Sequence, residues 1–298
     1  MIWSVLALAS SLFLGLYDVV KKFSLRDNAV IPVLFFATLV SSLLFLPVFL
    51  VNLKAPLMIG DATVQLLHRP LNEHLHYFIK SVLVGTSWIF AYFALRHLPI
   101  TIVTPIRSTG PMWTLVGALL IFNEQLNLWQ WVGLVITLFF FYRFTFAGQK
   151  EGISFRRNKW ILFIIVATIL GAASSLFDKY LIQRFDRIVM QAWFSVYLVV
   201  YLFPVMMLTW YPRRKRFPFN WRWSIVLIGV FLTTADFVYF LALSKPDALI
   251  AVISAIRRSS VLFSFSIGAV LFREKNILHK GMILLGILIG VLVMIVGS

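Results

Sequence analysis

Cysteine is missing from all 298 residues, which excludes disulfides and thiolate metal sites and leaves the redox compartment unmarked. Charge is nearly as scarce: 13% of the chain is Asp, Glu, Lys or Arg, and only 11 residues are acidic. Soluble domains carry about a quarter charged residues, so this composition excludes a soluble enzyme. Against those 11 acids stand 27 Lys and Arg, a formal net charge of +16. In a soluble chain that excess would point to nucleic acid. Here most of it sits in short connections between apolar stretches, where it reads as a topology determinant and a contact for anionic lipid, and no nucleic-acid partner is expected.

What the chain does have is apolar length, with 61% hydrophobic residues and a mean hydropathy of +0.92. Stretches of roughly 20 apolar residues, enough to cross a ~30 Å hydrocarbon core, fall at about 2–20, 29–51, 77–95, 99–122 and 128–146. Five more follow at about 160–180, 188–211, 223–243, 247–272 and 277–297. The expected fold is all-α, an integral membrane protein of ten transmembrane helices. The first stretch has no basic residue ahead of it and reads as a retained helix rather than a signal peptide.

The last five spans repeat the first five. Leu16-Tyr17-Asp18 aligns with Leu176-Phe177-Asp178, and Phe45-Leu46-Pro47 with Leu202-Phe203-Pro204. After a longer second connection in the first half, Phe90-Ala91-Tyr92-Phe93 meets Phe237-Val238-Tyr239-Phe240, Ile106-Arg107 meets Ile256-Arg257, and Phe122-Asn123-Glu124 meets Phe272-Arg273-Glu274. The repeats are residues 1–147 and 160–298. Five spans is an odd number, so the second repeat enters the membrane inverted, an arrangement typical of transporters.

The ten-span plan, the lysines Lys21 and Lys22 after the first span, and the segments Gly117 to Glu124 and Gly268 to Glu274 ahead of spans five and ten resemble the EamA type of drug/metabolite transporter. So does the tenth span, with Gly281, Gly286 and Gly290. Span five departs from the pattern, with Gly133 standing alone. The resemblance implies alternating-access transport of a small metabolite through a cavity lined mainly by spans one, three, four, six, eight and nine. It also implies termini on the cytoplasmic side.

The charges argue the other way. Assigned alternately, the connections at 20–28, 96–98, 147–160, 211–223 and 273–280 hold sixteen Lys and Arg, against six on the opposite side. Positive residues stay inside, which places both termini outside the cytoplasm. The short connections suit a bacterial inner membrane.

Five basic residues fall inside spans. Lys80 and Arg143 lie near predicted span ends and can snorkel. Arg107 and Arg257 lie about 12 and about 15 Å from the nearer surface at 1.5 Å per residue. A central arginine costs about 2.5 to 3.5 kcal/mol on insertion scales, so it needs a partner or a wet cavity. Two arginines at repeat-equivalent positions point to one shared site, with Ser108 and Ser259 as neighbouring hydroxyls and Arg258 behind them as a further contact. Trp88, Tyr92 and Tyr239 are candidate cavity aromatics. Asp236, Asp18 and Asp178 are candidate proton carriers, and equally candidate partners that neutralise the arginines.

The expected substrate is therefore a small polar molecule, anionic or zwitterionic. A lipid-linked phosphate flippase, a channel and a nontransport membrane protein are the alternatives. No nucleotide loop, catalytic grouping, cofactor motif or metal site is read in the spans, although His68, Glu73, His74 and His76 gather in the second connection. Gly286-x3-Gly290 fits close helix packing, within the chain or in a homodimer through the tenth span.

Overall fold

The computed structural model describes residues 2–53, 57–59, 62–97, 106–107, 109–146, 158–260, 263, 267 and 277–297. Its helices are α1 (Ile2–Leu25), α2 (Val30–Leu43), α3 (Leu46–Asn52), α4 (Leu71–His97), α5 (Gly110–Phe122), α6 (Leu128–Phe146), α7 (Lys159–Ile182), α8 (Arg187–Thr209), α9 (Ser224–Leu243), α10 (Ile250–Arg258) and α11 (Ile277–Val296). Six helical segments among the described residues are long and apolar enough to cross a bilayer: Ile2–Leu25, Val30–Asn52, Leu71–Ala94, Lys159–Ile182, Arg187–Arg213 and Ser224–Leu243. The apolar segments Gly110–Phe122, Leu128–Phe140 and Leu285–Val296 are shorter.

Six such long segments among the described residues fall short of the ten spans expected, and two local features also depart from that expectation. The second connection contains a small antiparallel hairpin, β1 (Leu57–Ile59) with β2 (Ala62–Val64), in register Leu57 to Val64. The second span is broken at Leu44–Phe45, where Pro47 in the first turn of α3 has no N–H to continue the ladder from α2. Its repeat counterpart Pro204 sits inside α8, which runs on around it. The same tripeptide pattern thus ends one helix and is absorbed by the other.

Packing exchanges the two halves. α1 lies on α9 and α4 lies on α7, so the first span of each repeat packs against the third span of the other. α2 meets α8, α6 meets α11, and α5 meets α10, each a pairing of repeat counterparts. The principal contacts therefore map onto themselves when the repeats are interchanged. Hydrocarbon tails give helices no hydrophobic reason to associate, so small and hydroxyl residues carry these contacts. α1 buries Ser4, Ala7, Ser10 and Ser11, and Ser10 donates to the Ala235 carbonyl of α9 at 2.7 Å. On α4, Ser87 donates to the Ala167 carbonyl of α7 at 2.8 Å.

The glycines of α11 serve the α6 contact inside the chain. A Cβ on Gly133 would stand 2.6 Å from the Gly290 carbonyl oxygen, and one on Gly290 would stand 2.8 Å from both the Gly133 oxygen and the Thr137 nitrogen. Backbone cannot yield as a side chain does. Gly290→Ala is expected to cost about 1–3 kcal/mol by overpacking, read as a lower thermal midpoint in detergent. Gly171→Ala is the control, because its Cβ would meet only Ser87 Oγ at 3.6 Å.

Candidate functional site

Three lysine or arginine side chains are paired with the three aspartates inside the bundle. Lys21 donates to Asp18 at 2.5 Å within α1, and its ammonium lies 4.2 Å from the Tyr17 ring centre and 5.9 Å from that of Tyr92. The Tyr17 and Tyr92 hydroxyls are 3.4 Å apart. Lys80 of α4 pairs with Asp178 of α7, roofed by the Phe194 ring at 4.4 Å and the Phe240 ring at 5.2 Å. Arg257 of α10 donates from Nη2 to Asp236 of α9 at 2.7 Å, and its guanidinium stacks on the Tyr239 ring at 4.0 Å.

Each pair joins different elements except the first, and each solves one local problem. A buried charge without a partner is expensive, and an ion pair offsets that cost only when its geometry is good and its other polar groups are satisfied. Arg257 falls short of that: its Nε is buried with no hydrogen-bond partner among the described residues. Thr233 Oγ1 on α9 is in the same position.

Two guanidiniums remain. Among the described residues no carboxylate forms an ion pair with Arg107 or Arg258. The fields of Arg107 and Arg257 both reach Arg258, so three guanidiniums act on one neighbourhood. Arg258 also lies against the start of α5, where a Cβ on Gly110 would stand 3.0 Å from its Nη2. Gly110 leaves the guanidinium room beside a helix N-terminus, whose free N–H groups carry partial positive charge. The Asp18 carboxylate also acts on Arg258, and Asp236 is bound to Arg257, so positive charge outnumbers negative there among the described residues.

Beside Asp236 lies a narrow cavity of about 20 Å³, room for roughly one water. Thr38, Ser41, Gln191, Ser195 and Thr233 line it, but its open wall is almost wholly apolar, with Phe45, Trp88 and Phe194 among the residues that form it.

The sequence-predicted residues are thus partly gathered and partly dispersed. Arg257, Asp236 and Tyr239 form one cluster, with Arg107 and Arg258 in electrostatic reach. Trp88 reaches the cavity. Tyr92 turns to Tyr17 and Lys21 instead. Ser259 donates to the Ile256 carbonyl at 2.6 Å and to Ser11 Oγ at 3.2 Å, tying α10 to α1. Ser108 lies outside the described residues, as does Glu274. Trp113, another aromatic of the fourth span, is 49% exposed and faces outward.

Lys80 is the main correction. Taken as a snorkelling residue at the start of a span from about residue 77, it lies nine residues into a helix that begins at Leu71. That is about 13 Å along the axis, and its side chain is 2% exposed. The lysine next to Asp178 in sequence, Lys179, points elsewhere, because neighbouring residues are about 100° apart on a helix. It pairs with Glu124. In the second connection, Glu73 accepts from Tyr77 and pairs with Arg69, while His74 is bonded to Tyr197. Among the described residues no group of three or more metal-ligating side chains comes together.

The model of the EamA-like transporter family matches residues 1–146 and 158–296. A solved crystal structure of another protein is similar to this one at 14% identity and a TM-score of 0.70, over 98% of this chain and 94% of that chain. At that identity the likeness speaks for the fold alone. No curated protein matches the sequence.

Proposed function

The chain belongs to the EamA-like transporter family, and on that premise we propose that it is a secondary transporter of a small polar anion or zwitterion, working by alternating access. Ten spans in two inverted five-span repeats rock about a site near the midplane. The exchange of packing partners between halves supports the inverted repeat. The site is the neighbourhood of Arg107, Arg257 and Arg258. The membrane is a bacterial inner membrane, with the heavily basic connections in the cytoplasm and both termini outside. The exposed face of α11, with Met282, Leu285 and Ile289, is left for lipid or a second copy.

The observation that carries this reading is the surplus of guanidinium over carboxylate. Asp236 is committed to Arg257, whereas Arg107 and Arg258 form no ion pair among the described residues, and only the more distant Asp18 carboxylate, itself paired with Lys21, acts on Arg258. A bound carboxylate or phosphate would supply the missing negative charge through charge-assisted hydrogen bonds.

Reconstitution into liposomes with a panel of carboxylates, phosphates and amino acids tests this, scored by saturable counterflow. Hydrogen bonds to charged groups are worth about 1.5–3 kcal/mol, so Arg107→Gln and Arg258→Gln are each expected to weaken apparent affinity by roughly tenfold or more. Unchanged affinity in both variants would overturn the anion site. Absence of saturable exchange for the whole panel would overturn the transporter reading.

A further inference from the structure

Asp18 and Asp178 are counterparts in the two repeats, yet their settings differ. Asp18 is paired within its own helix and its side chain is 34% exposed. Asp178 is 8% exposed and paired across the repeats to a lysine that is itself 2% exposed. One acid of the pair is wet and the other dry.

Among the described residues, the principal charged and titratable groups facing Asp178 come from three helices. From α4 comes Lys80, from α9 come Asp236 and Tyr239, and from α10 comes Arg257. α8 presents the Phe194 ring to Lys80, and α5, which also packs on α7, carries no titratable side chain. Lys80 is thus the direct counter-charge of Asp178, and its own ammonium is walled by two aromatic rings.

Inverted repeats alternate by rocking against each other around a fixed site. When the halves rock, the side that holds Asp178 opens while the side that holds Asp18 closes; Asp178 has Leu181 where Asp18 has Lys21, so Lys80 remains its one direct counter-charge among the described residues. In the exposed setting Asp178 meets water and can take up a proton. That event frees the Lys80 ammonium, which needs a new negative partner before the site closes and dries again.

We propose that the Lys80–Asp178 pair is a proton-binding site that couples the carrier as a proton–anion symporter. The proton binds the Asp178 carboxylate to give a neutral carboxylic acid. The anionic group of the substrate takes the place of that carboxylate beside Lys80. One positive and one negative charge have been added, so the loaded and empty sites carry the same net charge. Reopening on the other side reverses both steps. The Asp236–Arg257 pair, 17% and 18% exposed, keeps its own partner throughout. This inference rests on the transporter reading and adds to it the coupling ion and its direction relative to substrate.

Two measurements separate the claims. Infrared titration of the protein in liposomes needs no substrate. A carboxylic-acid carbonyl band is expected to grow as pH falls, to vanish in Asp178→Asn, and to be present already at neutral pH in Lys80→Met, where the buried acid has lost its counter-charge. A band identical in wild type and Asp178→Asn overturns the proposal, and the wild-type titration still bears on it if a variant fails to fold, because no titrating band at all overturns it too. The second measurement uses the same liposomes with labelled succinate, glutamate and inorganic phosphate. An inward proton gradient is expected to drive accumulation by about tenfold per pH unit, and Asp178→Asn is expected to lose that drive and the pH dependence of exchange. Counterflow without gradient-driven accumulation overturns the coupling and leaves the transporter standing. No counterflow with any probe overturns the transporter, and the infrared band then decides the proton site alone.

Discussion

Glu124→Ala is expected to destabilise the protein by about 3–5 kcal/mol, the cost of stripping a buried charge of its partner. The carboxylate follows α5 and is 2% exposed. It pairs with Lys179 near the end of α7, accepts the Ile250 N–H at 2.8 Å through Oε1, and accepts the Ala251 N–H at 3.2 Å through Oε2. It therefore caps α10, whose own flanking residue Leu249 offers no side-chain cap. Lys179 adds a bond to the Ala248 carbonyl at 3.0 Å. One side chain thus ties the ends of three helices. Removing it leaves an ammonium buried and two helix N–H groups unsatisfied. Glu124→Ala with Lys179→Met removes the stranded charge, so the double variant is expected to recover most of the loss, while the missing cap keeps about 1 kcal/mol. A double-mutant cycle on thermal or denaturant unfolding in detergent reads the coupling directly. Additive losses would mean that the carboxylate and ammonium do not depend on each other.

How much of this was legible in the sequence differs by level. Pairs such as Asp18 and Asp178, or Tyr92 and Tyr239, are visible as repeats because duplication leaves residues in order. Deep charges are visible because an apolar background makes each one conspicuous. Partners are another matter. Lys80 meets Asp178 across 98 positions and Lys179 meets Glu124 across 55, and no local pattern encodes which helices become neighbours. In a soluble protein the apolar face of a helix would narrow the choice. Here α9 is apolar on most of its surface apart from Thr233, Thr234 and Asp236, so the side that meets α1 is marked mainly by small residues such as Ser10 and Ser11 on the facing helix. Helix limits misled in the same way. The polar start of α4, from Leu71 to His76, looks like connection on hydropathy, yet it is helical and sets Lys80 one and a half turns deeper. In sequence Glu124 is visible only as the residue that follows its own helix and matches Glu274 in the other repeat. The structure shows it capping a helix 126 residues on.

A single cysteine replacing Arg214 is expected to be labelled by a membrane-impermeant maleimide only from the cytoplasm, and one replacing Gln125 only from outside. The chain contains no cysteine of its own, so each label reports one position, and both side chains are exposed. The structure fixes which connections share a face. Asn28 donates to the Asn220 carbonyl at 2.7 Å and accepts the Asn220 N–H at 2.9 Å, while Arg222 donates to the Phe23 carbonyl at 2.8 Å. The first connection and the one around Arg213 to Arg222 therefore lie together. At the other end, Asn127 donates to the Gly297 carbonyl at 2.5 Å, which sets the end of α11 beside the connection that holds Gln125. The proposal that the Arg214 face is the cytoplasmic one rests on charge. The connections grouped with Arg214 hold sixteen Lys and Arg against six, and each one near an anionic leaflet is worth about 1 kcal/mol. Removing Arg214 leaves that bias nearly whole. The family resemblance implied the reverse, termini inside, so the two arguments make opposite forecasts for the same pair of cysteines. Labelling of the Gln125→Cys variant from the cytoplasm would show that the basic connections face outward, and the direction in which the proton enters the Lys80–Asp178 site would reverse with it.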